Sequence, residues 1–518
     1  MARVNAAAMS MGSSKKARNR LADHKEAPRE VELKLEIEAG AVGRLLDHPL
    51  VARAQPDQDQ SGHLSAVYFD TPDLDLRKSG LSLRIRRRNG NAVQTIKAED
   101  KSRGLALDRS EWEQAVDDQL DFGAAAGTPL ARLIAKKGIR DSIRPVFGIE
   151  TERRAFTVEH DGALVELALD NAAATAGDSM ARFAELELEL KQGAPAALFR
   201  LAHDLAKAAP LRLAPVTKSE RGYGLLERAR SAPVHAQDVA IDADASCAEA
   251  FQIIARSCVS QMIANESVLR RSPDPEALHQ IRVGLRRLRA AISLFRKMLA
   301  RQETEAVKQG LRWIGRKLGP ARDLDVLLGN LREAAGSPDV ENAIADTERR
   351  RLKAYAVLQK ALDTPRYMSA ILETAAWIEA GQWLGNEKRT SRPARKHAAK
   401  ELSRRHKKIV REAKHLEELP DEERHELRIR IKKMRYGTEF FASLFERKKA
   451  RKRRKAMLKG LEHLQDLLGE MNDIAVGSAM VPSLAQSDPE RAEQRLAKLL
   501  SKAVVAAHDL PGAKPFWK

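Results

Sequence analysis

The sequence predicts a chain of two parts, α+β in its first half and all-α in its second, and three observations carry that reading. Short runs of alternating charged and apolar residues recur from Glu30 to about residue 190. Long amphipathic segments without that alternation fill the chain from about residue 242 to 510. Within them two passages 146 positions apart, HQIRVGLRRLR from His279 and HELRIRIKKMR from His425, repeat one order of histidine and basic residues. That order marks an internal duplication.

At 518 residues the chain exceeds what one core supports, so two or three domains are expected. Mean hydropathy is -0.45, and no run approaches the ~18 apolar residues of a membrane helix. The N-terminus has no apolar signal-peptide core, so the expectation is a cytoplasmic protein with no membrane partner. Cys247 and Cys258 lack metal-ligand spacing and read as ordinary buried thiols in a reducing compartment. The net charge of +19 is uneven: residues 1–240 hold 36 Lys+Arg against 35 Asp+Glu, and residues 241–518 hold 55 against 37. The second half therefore carries a polyanion signal. Aromatics are 4% of the chain, which leaves few platforms for stacking bases and disfavours nucleic acid against a partner made of phosphate alone.

Taken in order, residues 1–28 read as a disordered basic tail of Ala, Ser, Lys and Arg. EVELKLEIE, LSLRIRRR, AVQTIKAE, RSEWEQAV, ALVELALD and AELELEL read as strands of a domain over 29–227, interrupted by helical spacing in AAGTPLARLIAKKG and GAPAALFRLAHDLAKAAP. Residues 228–241 have the Pro, Ala and polar mix of a linker. The helical domain follows over 242–510, in halves of about 242–385 and 386–510, with 386–415 expected as an exposed basic loop running into a helix.

Strand parity places Glu30, Glu32 and Lys34 on one face of the first strand. The same rule groups Arg84 with Arg86, Thr95 with Lys97, Glu111 with Glu113, Glu166 with Asp170, and Glu185 with Glu187 and Glu189. One such strand alone reads as sheet with a wet face. Taken together, acids and bases on one side of several strands suggest a barrel with a polar lumen. A guest that satisfies both signs is a metal-bound oligophosphate, because carboxylate oxygens suit hard divalent cations while Arg and Lys suit phosphate.

EVELK, with AVYFDTPDLDLRKSGLSLRIRR, QTIKAE, RSEWE, VELALD, ELELEL and TKSERGY in series from about residue 30 to 225, resembles the CYTH domains, or triphosphate tunnel metalloenzymes. The resemblance implies an eight-stranded antiparallel tunnel. It also implies Mg²⁺ or Mn²⁺ on Glu30, Glu32, Glu185 and Glu187, with Glu111, Glu113 and Asp170 beside them, and triphosphate on Lys34, Arg84, Arg86, Lys97, Arg153 and Lys218. Glu30, Glu32 and Lys34 would carry the catalytic role. Many relatives have glycine where Ala172 stands, and they divide among inorganic triphosphatases, thiamine triphosphatases and adenylyl cyclases.

In the helical half, offsets of 0, 3, 7 and 10 put His279, Arg282, Arg286 and Arg289 within roughly 80° of one helix face. The opposite arc carries Ile281, Leu285, Leu288 and Ile292, so each helix has an apolar back and a basic front. Leu-Gly steps at 318 and 468 follow the two copies, and Asp323 and Asp473 read as anions that orient the stripe or cap helices. The run from Arg447 to Lys455 extends the basic rim.

This duplicated pattern resembles the CHAD domain, the conserved histidine α-helical domain. The resemblance implies inorganic polyphosphate bound by His279, Arg282, Arg286, Arg289, His425, Arg428, Lys432, Lys433 and Arg435, on stripes facing one another across a groove. The expectation is an inorganic triphosphatase joined to a polyphosphate-binding domain that docks on polyphosphate granules; the alternative is an idle tunnel in a granule-targeting scaffold.

Overall fold

The computed structural model describes residues 29–98, 105, 107–214, 216–227, 232–333, 338–480, 489–509 and 514–518; the expected tail at 1–28 lies outside them. Its strands are β1 (Arg29–Ile37), β2 (Gln55–Asp70), β3 (Leu81–Arg88), β4 (Asn91–Ala98), β5 (Leu107–Val116), β6 (Arg144–His160), β7 (Ala163–Ala176), β8 (Ser179–Gln192) and β9 (Leu211–Leu213). They form one antiparallel sheet in the order β5-β4-β3-β2-β6-β7-β8-β1-β9. β1 also pairs with β5, Arg29 through Glu32 opposite Ser110 through Leu107. This short seam brings the two ends of the eight-strand run together, so the sheet wraps into a tunnel that is only partly sealed. β9 lies further along the same edge of β1, beside Leu35 to Ile37. At three residues it is too short to leave an alternation in the sequence.

Local chemistry sets the hairpins. Asn89-Gly90 joins β3 to β4 and Asp161-Gly162 joins β6 to β7, all four residues at positive φ, as a two-residue turn matched to strand twist requires. Along β1 both faces are buried: Leu33 and Leu35 at 0% exposure on the outside, Glu32 and Lys34 at 9% and 6% on the inside. A polar lumen leaves the apolar faces of the wall pointing outward, where they need cover.

Cover comes from α1 (Ala196–Leu205) and from the helical half. That half comprises α3 (Cys247–Arg271), α4 (Pro275–Leu294), α5 (Gln302–Glu333), α6 (Pro338–Leu362), α7 (Pro365–Ala380), α8 (Ala394–Ala413), α9 (Asp421–Phe440), α10 (Lys448–Met480) and α11 (Pro489–Asp509), with α2 (Lys218–Leu226) belonging to the tunnel. The segment 386–415, expected as a loop running into a helix, does run into one, α8 from Ala394, but its start also holds a helical turn at Glu387–Thr390. Ala394, Ala398 and Leu402 are fully buried, so this basic segment has an apolar inner face.

The duplication is visible in the packing, since α3 pairs with α4 and α5 with α6 as α8 pairs with α9 and α10 with α11, while α4 and α9 meet between the copies. One apolar cluster runs from Leu33, Leu186 and Leu188 through Phe199 to Phe251, Leu372 and Phe440. Polar links cross with it: Arg212 of β9 donates to Asp363 at 2.9 Å, and the Leu105 N–H donates to Glu379 at 3.3 Å. No helix of the described residues is long and apolar enough to cross a membrane. Because Leu188 is fully buried in that cluster, Leu188→Ala should cost about 2–5 kcal/mol in urea unfolding.

Candidate functional site

The tunnel encloses a cavity of about 370 Å³. Cross-strand register builds one wall as acidic rungs: Glu32 lies opposite Glu189, which lies opposite Glu166. Lys34 faces Glu187 on the next rung, and Glu185, Asp170 and Arg153 follow in line beyond it. Like charges set directly opposite destabilise a sheet, so these rungs stand only with cations among them. Arg153 donates to Asp170 and to Glu187, each at 2.6 Å, and Lys218 donates to Asp170 at 2.7 Å and to Glu187 at 2.9 Å. Lys218 also bonds Glu185, and Lys34 bonds Glu187 and lies 3.4 Å from Glu32. Lys191 bridges Glu166 at 2.9 Å and Glu189 at 2.7 Å.

The facing wall is weighted toward cations. Arg84 lies 3.7 Å from Glu111 and donates to the Tyr68 hydroxyl at 3.4 Å. Lys97 meets Glu111 at 2.5 Å, and Glu113 takes bonds from Arg86 and Thr95, both at 3.1 Å. Arg84 Nε is buried with no hydrogen-bond partner among the described residues.

Lys218, Lys34 and Arg153 hold Glu187 well below the usual carboxylate range against its burial, and Lys218 and Arg153 lower Asp170 against its own. The reciprocal pull of Asp170, Glu185 and Glu187 lifts the Lys218 ammonium well above its usual range. Arg84, more than burial, depresses Arg86. Burial, with Glu166 and Glu32 beside it, raises Glu189.

Asp170, Glu185 and Glu187 each offer a ligand atom within 4.8 Å of the others. An all-carboxylate oxygen set of this kind suits a hard divalent cation such as Mg²⁺ or Mn²⁺. Of the other expected ligands, Glu32 lies on the adjoining rung. Glu111 and Glu113 lie on the facing wall among cations and outside this trio. The side chain of Glu30 lies outside the described residues. Glu166, Glu189, Lys191, Tyr68 and Thr217 line the cavity and were not among the expected site residues. Period-two continuation of ELELELK past Glu187 was the signal for Glu189 and Lys191.

Lys218 reaches the acids because α2 is held at both ends. Thr217 and Glu220 form a capping box at its start. Toward its end the Tyr223 hydroxyl donates to Asp70 at 2.8 Å. Asp70 is fully buried and also accepts the backbone N–H groups of Thr71, Leu76 and Arg77. Between them Gly222 lies against Phe147, whose ring a Cβ would overlap.

In the helical half, Asp274 caps α4 and fixes the phase of its stripe. His279, Arg282, Arg286 and Arg289 emerge on one side, joined by Arg322 and Arg312 of α5. Burial, then Arg322 and Arg286, lower His279 to about 4, against the pull of Glu276. Gly319 lies 3.5 Å by its would-be Cβ from Arg282, and Gly469 lies 3.6 Å likewise from Arg428, so each Leu-Gly step clears room for the same arginine of its copy. Arg287 is buried, 5.2 Å from the Phe440 ring centroid, and packs between the copies. Its counterpart Lys433 lies near Arg405 and Arg289, and burial followed by these cations lowers it. The side chain of Asp473 lies outside the described residues, while burial, with Arg286 and Arg322, lowers Arg282 against the pull of Asp323. Cys247 and Cys258 are free and buried, and burial raises the Cys258 thiol to about 12.

Two outcomes follow from this geometry. Gly222→Ala should push α2 off Phe147 and lower the melting midpoint by a loss of about 1–3 kcal/mol, read by calorimetry. In chelator-treated protein, the depressed Asp170 and Glu187 contribute stability above their unfolded values of 3.8 and 4.5. That contribution is lost as pH falls through the lower folded values. Replacing both by their amides should flatten the acid limb of a stability-against-pH curve.

Residues 28–223 match the CYTH domain family and residues 253–482 the CHAD domain family. An inorganic triphosphatase of Haemophilus influenzae is 27% identical over 195 residues, covering 38% of this chain and 54% of that protein. The chain thus spans about half the length of this curated relative. The solved CHAD domain of the plant Ricinus communis is 30% identical, covering 55% of this chain and 96% of that one, with a TM-score of 0.44. A Hippeastrum adenylyl cyclase candidate, described as revealing a dominant triphosphatase activity, is 20% identical over 38% of this chain and 95% of its own, with a TM-score of 0.28. The chain is a CYTH–CHAD protein, a CYTH domain joined to a CHAD domain.

Proposed function

We propose that the tunnel hydrolyses inorganic triphosphate, releasing orthophosphate, and that the helical half binds inorganic polyphosphate and holds the protein on polyphosphate granules. The tunnel reading rests on one observation: an acidic wall faces a cation-weighted wall across a cavity of about 370 Å³. The likeness to an inorganic triphosphatase supports the same reading. A divalent ion held by Asp170, Glu185 and Glu187, with Glu32 adjoining, would neutralise phosphate charge and orient the attacking water.

The chain's own cations do the rest. Arg84, Arg86 and Lys97 on one side and Arg153, Lys34 and Lys218 on the other grip the phosphate oxygens, with Arg84 Nε a donor in reserve. Charge gathering on the bridging oxygen as the terminal group departs is met by donors already in place, which is the main route to rate enhancement in phosphoryl transfer. Support for polyphosphate on the helical half comes from the two basic stripes and from the Arg282 and Arg286 Nε atoms, which have no hydrogen-bond partner among the described residues. Contacts to a flexible phosphate chain are individually modest and add through counterion release.

Phosphate release should be measured from triphosphate, long-chain polyphosphate, ATP and thiamine triphosphate with Mg²⁺ and with Mn²⁺. Triphosphate should be the fastest, chelator should abolish turnover, and Glu187→Gln should lower kcat by about a hundredfold or more. Absence of turnover in either metal, with polyphosphate binding intact, would leave a granule-binding scaffold instead.

A further inference from the structure

The two copies of the helical half are built alike and charged differently. With Gly319 and Gly469 placed in register by their matching arginines, an offset of 150 sets Arg312 against Glu462, Arg316 against Asp466 and Arg322 against Asn472. The stripe offset of 146 sets Ser293 against Glu439. The last stripe arginine therefore has opposite surroundings in the two copies.

Arg435 in the second copy donates to Glu462 at 3.3 Å and lies 3.9 Å from Glu439. Arg289 in the first copy has cations as its charged neighbours, Arg312 of its own copy and Lys433 of the other, and no ion pair among the described residues. Both Arg289 and Arg312 are exposed to solvent. Ser293, where the second copy has Glu439, accepts a bond at 3.0 Å from a further cation, Arg405 of α8. Arg322 adds a charge beside His279 and Arg282.

We propose that the helical half is an unequal pair, in which the first copy, through Arg289, Arg312, Arg316 and Arg322, is the principal grip for a linear inorganic polyphosphate. The second copy is neutralised at this corner of its stripe, where Glu462 and Glu439 hold Arg435. This rests on the reading that the helical half binds polyphosphate. Arg435 must surrender Glu462 and Glu439 before it can serve a phosphate, so its contribution is a difference between two ion pairs, and less counterion is released there. Among the described residues neither Arg289 nor Arg312 is in an ion pair, and Glu305, the exposed acid that feels Arg312, is already paired with Lys308. A short phosphate chain settles on the first copy, and only a longer one reaches the second.

The test is polyphosphate affinity as a function of salt for the full chain and five surface variants. R312E, which gives the first copy the charge of the second, should weaken binding by about tenfold or more. It should also reduce the slope of log affinity against log salt by about two. R435E should weaken binding by less than about threefold, and E462R should strengthen it. The charge-neutral pair R312Q and E462Q should show the same order, and an unchanged melting temperature confirms that each variant folds. Equal losses in R312E and R435E, or an E462R that gains nothing, overturn the asymmetry while leaving polyphosphate binding in place. A wild-type chain that does not bind polyphosphate overturns the underlying reading along with it.

Discussion

The tunnel depends on charge that cannot escape to water. Carboxylates on three adjoining strands lie abreast in successive rungs, and taking so many anions out of solvent would not be tolerated unless cations came with them. The sequence supplies them on the same strand faces, Lys34 between Glu32 and Glu36, Arg153 opposite Asp170, Lys191 beyond Glu189. Lys218 arrives from outside the sheet, on a short helix pinned through Tyr223 to a buried Asp70. The lumen is thereby preorganised for a guest of mixed sign, an anion with its metal.

That inward gathering of charge explains the architecture around it. A wall with polar residues inside must carry its Leu and Val outside, and those side chains are satisfied by α1 and by the helical half. Fusion of the two domains is thus a packing relationship as well as a chain connection, with Arg212 to Asp363 and Leu105 to Glu379 crossing the boundary.

Period-two alternation made six of the strands and the facing of their charges legible in advance, because parity in a strand is a matter of geometry alone, while the long β2 and β6 were not among the alternating segments. The duplicated stripe was legible for the same reason at helical period. What stayed hidden was whatever depends on distant pairing: the three-residue β9, the inclusion of Lys191 and Tyr68 in the cavity, and the separation of Glu111 and Glu113 from the carboxylate trio. The segment at 386–415 read as exposed because its many Lys and Arg mask an apolar spacing carried by Ala394, Ala398, Leu402, Ile409 and Ala413. The two arginines at 286 and 287 look interchangeable in sequence, yet one step of 100° turns the second into the interior, against Phe440.

Helix α1 and strand β9 lean on α7. A fragment ending at residue 227 would keep its entire lumen but bare part of its greasy flank. Such a piece would carry the reactive chamber intact and yet be prone to stick to its fellows. Whoever trims this protein for convenience should expect clumping to mimic a loss of chemistry.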